Sequence, residues 1–287
     1  MLRKPTQRDG VDFIRSRPVR HLGRIIAAVV LIYLAVCLID GMRTNSNYHW
    51  DVVGQYLFDV RIMRSLVWTL VLTVISMALG IVLAVILSLM RESRNPVNSS
   101  VANIWIWFFR GTPVYTQLLF WGLFAVLYPK FTLGLPFGGA TFLSVDTQQF
   151  YNAAVAAILG LGLNESAYLA EIFRAGFQSI PKGQMEAADA LGLPRRQAMW
   201  RIILPQAMRV IIPPTGNEAI GMLKTTSLVL AVPFTLEITY VTNAIANRLY
   251  LPIPLLLVAA IWYLLITSIL MVGQYFLEKK FGKGVAV

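Results

Sequence analysis

Residues 65–90 read SLVWTLVLTVISMALGIVLAVILSLM, twenty-six residues without a charged side chain, closed on either side by Arg64 and Arg91. A bilayer core is crossed by a helix of roughly 20 apolar residues, so this stretch is long enough to span. Lipid offers no partner to an open strand edge, which makes the span a helix. Five further apolar runs lie at about 25–40, 101–128, 150–173, 214–235 and 253–277. Together the six predict an all-α integral membrane protein with about six spans. Composition agrees: 57% of the 287 residues are hydrophobic and 14% charged, against about 25% charged in ordinary globular domains.

A net charge of +11 raises the question of nucleic acid, but the placement of the cations answers it. Of the 25 Lys and Arg, seven lie in 1–24, three in 91–110, six in 174–209 and three in 279–283, against five at 43–64, 130 and 248. Cations are retained on the cytoplasmic side of a membrane. The alternation therefore places both termini, and the loops near 91–99 and 176–212, in the cytoplasm. The remaining cation, Lys224, falls inside a run. Cys37 is the single cysteine, which excludes an internal disulfide. Residues 1–40 also admit a secretory-signal reading, but no small-x-small site follows the apolar stretch, so a retained first span is expected.

No repeat or low-complexity segment appears, and no stretch outside the runs is apolar enough for a soluble core. The expected organisation is a basic cytoplasmic tail at 1–24, an additional first span with an external segment at 25–63, and one transmembrane domain at 64–280. Residues 41–63, with Tyr48, Trp50, Tyr56 and Phe58, suit a helix in the outer interface. Residues 129–149, rich in Gly, Pro and Thr, read as an external loop. In 176–212, a short helix is expected from Gln184 to Ala190, with Gly192 at its C′ position. Pro194 opens a second helix that runs to Leu204, where Pro205 interrupts it.

This segment reads Glu186-Ala187-Ala188, then Gly192 after three residues, then Ile202-Ile203-Leu204-Pro205 after nine more. It resembles the EAA motif of ABC importer permeases, EAA-x3-G-x9-I-x-LP, at every defined position. Four further segments resemble the polar-amino-acid branch of that family, the histidine/glutamate/glutamine/arginine group: Arg110-Gly111-Thr112-Pro113, Tyr168 to Gly176, Pro181-Lys182-Gly183-Gln184 and Leu223 to Leu228. The similarity covers roughly residues 60–280. It implies a five-helix type I permease core in the bacterial inner membrane, to which the first span is an addition. It also implies a coupling loop (Glu186, Ala187, Ala188, Gly192, Leu204 and Pro205) that docks on an ABC ATPase subunit present in two copies. A second permease copy or paralogue, an extracytoplasmic solute-binding protein and a polar amino acid as cargo complete the expectation. ATP and Mg belong to the ATPase subunit. This chain is expected to bind no cofactor, metal or nucleic acid and to be no enzyme.

Charges at membrane depth cost about 2.5–3.5 kcal/mol on insertion scales, so each demands a partner. Asn164-Glu165 and Lys224 lie near the middle of their runs. An amino acid needs an acceptor for its ammonium and a donor for its carboxylate, which Glu165 and Lys224 can supply, with Asn164, Thr225 and Thr226 beside them. The competing reading is a structural ion pair, Glu165–Lys224 or Glu218–Lys224. Helical spacing puts Asn164, Tyr168 and Glu171 on one face, and Asn217, Gly221 and Lys224 on another. Arg110, Glu171 and Arg174 lie nearer the cytoplasmic ends and suit a gate or an interfacial salt bridge. Both histidines, His21 and His49, fall outside the runs, and no HExxH, GxSxG or GK[ST] motif occurs, which argues against an intramembrane enzyme. A stand-alone secondary transporter is the remaining alternative; such proteins often carry internal repeats, and none is evident.

Overall fold

The computed structural model describes residues 22–135 and 139–282, so the basic tail lies almost wholly outside the described residues. In chain order the elements are α1 (Leu22–Thr44), α2 (Trp50–Leu57), α3 (Val60–Arg91), α4 (Pro96–Gly111), α5 (Val114–Leu127), a hairpin of β1 (Lys130–Gly134) and β2 (Thr141–Asp146), α6 (Ala153–Gln178), α7 (Lys182–Ala190), α8 (Arg195–Ala198), α9 (Leu204–Thr225), α10 (Ile238–Leu249) and α11 (Pro252–Phe281). The chain divides into a unit ending at Tyr48 and a unit beginning at His49. The described part of the first is mainly α1, an apolar helix with no buried residue.

In the second unit α6 is the central helix. Of its apolar window 61% is buried, against 39% for α3 and 22% for α11. Small residues let its neighbours approach, as expected where lipid removes the hydrophobic drive between helices. A Cβ added at Gly160 would lie 2.6 Å from Leu118 Cδ2, and one at Gly176 would lie 2.3 Å from Ile211 Cγ1. One apolar core joins α3, α4, α5, α6 and α9 through Leu72, Phe109, Leu118, Leu161 and Ile211. A second joins α2, the start of α3, α10 and α11 through Val53, Ile62, Ile238 and Leu255.

The structure revises several expectations. Among the described residues four helices, not six, are long and apolar enough to cross a membrane: α1, α3, α6 and α11. The run at 101–128 is two helices, because Pro113 holds Thr112 extended at φ −117° and ψ 144° and caps α5 from outside. The run at 214–235 is the end of α9 followed by a tighter 3₁₀ segment, Thr226–Ala231. Within the segment expected to be a plain loop, Lys130–Gly134 and Thr141–Asp146 pair as antiparallel strands. Pro205 does not interrupt a helix. A π-turn at Met199–Ile203, in which the Leu204 N–H donates to Met199 O, widens the backbone just ahead of the ring and carries α8 into α9. Pro213 and Pro214 also sit inside α9, and Gln274 of α11 donates to the Pro213 carbonyl at 2.8 Å.

Candidate functional site

A cavity of about 430 Å³ opens where the α4–α5 break meets α6 and α9; its lining includes Arg110, Asn164, Glu165, Tyr168, Glu218 and Thr225. The break itself is a built feature. A helix end leaves carbonyls without intrahelical partners, and here side-chain amides take them. Gln117 Nε2 donates to Phe109 O at 3.0 Å and to Thr112 O at 3.1 Å, and Asn164 Nδ2 donates to Phe109 O at 2.8 Å and Gln117 Oε1 at 3.2 Å. Asn164 therefore lines the cavity while its amide fixes the wall.

Glu165 is 7% exposed, and its Cβ and Cγ pack where a side chain on Gly80 of α3 would stand, 3.1 Å from that position. Its Oε1 is buried with no hydrogen-bond partner among the described residues. Glu218, from α9, faces the same cavity. Two carboxylates and the Arg110 guanidinium thus line one half-open cavity of mixed polar and apolar lining.

Below Arg110 sits a cluster centred on Glu171. Arg91 Nη1, at the end of α3, lies 2.5 Å from Glu171 Oε1; Arg174 Nε lies 2.8 Å from Oε2; and Arg110 Nη1 lies 3.5 Å from Oε1. Arg110 also stacks over the Tyr168 ring at 5.3 Å. It belongs to both groups, lining the cavity and making the loosest of the three contacts to Glu171.

The expected cargo residues divide on this geometry. Asn164, Glu165 and Thr225 line the cavity; Lys224 and Thr226 do not. Lys224 is exposed and Thr226 buried, the Thr226 hydroxyl donating to Leu223 O at 2.7 Å. Neither Glu165 nor Glu218 pairs with Lys224 among the described residues, so the structural ion-pair reading finds no support. Arg110, Glu171 and Arg174 do come together. Sequence reading missed Arg91 and Gln117, and it weighed Glu218 only as a partner for Lys224. The face of α9 was misplaced by one residue, about 100° of rotation: the cavity side carries Glu218, Gly221, Met222 and Thr225, while Asn217 Nδ2 lies 3.4 Å from Glu278 Oε1.

Between α6 and α9 the helical elbow is held by backbone geometry. Gly192 has φ +68°, a conformation that a β-carbon penalises. Gly192 N–H donates to Asp189 O at 3.0 Å and Leu193 N–H to Ala188 O at 3.1 Å, the paired bonds of a Schellman motif. Glu186 and Ala187 are exposed, as is Leu191 at 78%. Ala188 is 1% exposed and packs inward, so it forms no part of the free surface expected of it. Leu204 is half-buried and Pro205 exposed.

A charged cavity inside an apolar helix bundle, with an exposed elbow between two of the cavity's helices, is the architecture of a membrane permease. The chain belongs to the family of binding-protein-dependent transport system inner membrane components, whose model matches residues 76–283, and it is a multi-pass permease subunit of the inner membrane. It is 53% identical over 272 residues to an arginine transport system permease protein of Corynebacterium glutamicum, covering 94% of this chain and 84% of that one. It is 31% identical to an L-cystine transport system permease protein of Bacillus subtilis, covering 86% and 97%. A crystal structure of an amino acid ABC transporter with histidines superposes at TM-score 0.62 and 31% identity, covering 77% of this chain and 94% of that one. An inward-facing methionine ABC transporter, at TM-score 0.52 and 17% identity over 78% and 97% of the two chains, shares the type I permease fold.

Proposed function

We propose that this amino-acid ABC permease passes a cationic amino acid through the cavity around Glu165. The observation that carries the reading is a buried carboxylate with an unpartnered oxygen, Glu165, facing one cavity with Glu218 and Arg110. Arg110 suits the cargo carboxylate, since its planar fork matches a carboxylate in bidentate fashion. Glu165 and Glu218 suit the α-ammonium and a second cation on the side chain, and Tyr168 and Thr225 complete the wall. A cavity of about 430 Å³ is within the range of small-molecule sites. The names of the arginine permease and of the structure with histidines support a basic side chain.

The Glu171 cluster serves as the inner gate in this reading, and the elbow, with Glu186, Ala187, Leu191 and Gly192, docks on the ATPase. Six spans follow if α4–α5 and α9 with its 3₁₀ extension count as interrupted crossings, and both termini then lie in the cytoplasm, as the charge distribution predicts. Two ATPase subunits that hydrolyse ATP with Mg, a second permease copy or paralogue, and an external solute-binding protein form the machine. ATP binding draws the elbows together and turns the cavity outward; hydrolysis returns it inward.

The test is ATP hydrolysis by the co-purified complex in lipid nanodiscs, titrated with arginine, glutamine and glutamate. A hydrogen bond to a charged group contributes about 1.5–3 kcal/mol, so arginine is expected to half-saturate at a concentration about 10- to 100-fold below glutamine. Glu218→Gln should close most of that gap and Lys224→Ala should leave it intact. Strongest stimulation by glutamate would overturn the cationic assignment, and uptake that survives loss of the ATPase would favour a secondary transporter instead.

A further inference from the structure

We infer that Gln274 of α11 is a positioning residue that holds α9 with Glu218 turned to the cavity; the inference rests on the cavity being the cargo site. The Gln274 side chain is buried and sits in a notch of α9. A Cβ added at Gly216 would collide with Gln274 Oε1, so glycine is what admits the amide. Gln274 Nε2 donates one proton to Pro213 O at 2.8 Å and the other to Glu278 Oε1, four residues on, at 2.8 Å. Glu278 Oε1 also lies 3.4 Å from Asn217 Nδ2. Both amide protons are therefore committed. Among the described residues, Gln274 is the one side chain of another helix that hydrogen-bonds the α9 backbone.

The place of the notch gives this contact its leverage. Pro213 and Pro214 sit about one turn before Glu218, and neither can donate to the carbonyl four residues earlier. Two rungs of the α9 ladder are thus missing between its lower and upper halves. The lower half is anchored by Ile211, packed against Gly176 of α6. The upper half brings Glu218, Gly221, Met222 and Thr225 to the cavity wall, and with the ladder interrupted its rotation depends on contacts of its own. At about 100° per residue these four side chains stand about 140–240° round the helix from Gly216. The notch is directly behind the cavity face. Apolar contact is largely non-directional, whereas a hydrogen bond weakens with misalignment. The buried Ile220 and Leu223 hold α9 in the bundle, and the Gln274 amide seated against Gly216 selects its rotation.

The experiment uses the same complex in nanodiscs, with arginine and glutamine as the probes of ATP hydrolysis. Gln274→Met keeps the length of the side chain and removes both donors; Gly216→Ala keeps the donors and closes the notch. Each is expected to raise the half-saturating arginine concentration about three- to tenfold, the scale of one hydrogen bond. Glutamine should respond less, and maximal rate and melting temperature should stay close to the parent. Because both substitutions act through one contact, the double variant should be no worse than either single. In a Cys37→Ser background, Glu218→Cys should react severalfold more slowly with a water-soluble maleimide once Gln274→Met is added, which reads the rotation without cargo. Unchanged labelling would overturn the inference. So would unchanged arginine half-saturation in both single variants where Glu218→Gln raises it, or a lowered melting temperature with cargo dependence and labelling intact. Failure of the cavity reading is separate: Glu218→Gln would then leave half-saturation unchanged while Gln274→Met still slows the labelling.

Discussion

The elbow and the cavity are neighbours in the chain and opposites in construction. The elbow takes its shape from contacts no more than a few residues apart: Gly192 at φ +68°, and two amide bonds reaching back to Asp189 and Ala188. The cavity wall takes its shape from groups 47 and 55 positions apart, Asn164 with Gln117 and with the Phe109 carbonyl, and the adjoining cluster from Arg91 and Glu171, 80 apart. Locally determined structure can be read from spacing. Structure assembled from distant helices depends on rotations and breaks that spacing alone does not fix.

The sharpest break of that comparison is at the elbow, where a backbone change should act without any packing change. A Cβ at Gly192 meets nothing within 4 Å, so Gly192→Ala introduces only the conformational penalty, about 1–2 kcal/mol. If the elbow docks on the ATPase as proposed, this should re-aim its face and abolish ATP-driven uptake, as should Ala187→Asp, which places a charge on the exposed surface. Membrane insertion and cargo binding should persist in both. Normal uptake by both variants would mean that the elbow does not couple.

Much of this elbow was legible because Gly192 and the residues around it each carry a backbone preference of their own. The misreading of Pro205 followed from the same logic applied one step too far. Proline does remove a donor, but a π-turn immediately ahead of it carries the helix past, and nothing in Met199-Trp200-Arg201-Ile202-Ile203 announces such a turn. In the cavity, the types of residue were legible and their directions were not. Glu165 was singled out because a charge in lipid needs a reason, and it faces the cavity. Lys224 satisfied the same rule by sequence and faces elsewhere, since an exposed Lys can reach away along its own stem. Arg91 passed for a simple end-of-span cation, and only the approach of α3 to α6 shows it pairing with Glu171.

A smaller effect is expected from the Glu171 cluster, where the comparison sharpens into one residue, Arg110, shared by the proposed gate and the cavity. Glu171→Gln keeps the size of the side chain and removes the charge that gathers Arg91, Arg110 and Arg174. These side chains are 20–44% exposed, so the loss is well below the roughly 3–5 kcal/mol of a fully buried pair. We expect cargo-independent ATP hydrolysis to rise about three- to tenfold, a change of about 1 kcal/mol in the resting balance, with Arg91→Gln following in the same direction. Unchanged basal hydrolysis in both variants would remove the gate role and leave a static salt bridge.

The smallest effect is expected at the N-terminal end of α3, and it tests whether a locally built motif behaves by local rules. Asp59 Oδ1 accepts from the Arg61 N–H at 2.8 Å, while Arg61 Nη2 lies 2.9 Å from Oδ2. The hydrogen bond from the Arg61 side chain, opposed by desolvation and aided by the backbone bond, holds the Asp59 carboxyl below its ordinary value. Because the folded value is depressed, the stabilisation is complete above the unfolded value near pH 4 and is lost as pH falls through the folded one. An exposed pair of this kind contributes roughly 0–1 kcal/mol, and the cap itself about 0.5–2 kcal/mol. Asp59→Asn keeps an acceptor for the cap and loses only the pair; Asp59→Ala loses both. Thermal unfolding in detergent should therefore rank parent, Asn and Ala in that order, with the parent–Asn gap constant between roughly pH 5 and 8 and closing only below about pH 4. A gap that varies across the neutral range would mean that the carboxyl titrates there and that Arg61 does not hold it ionised.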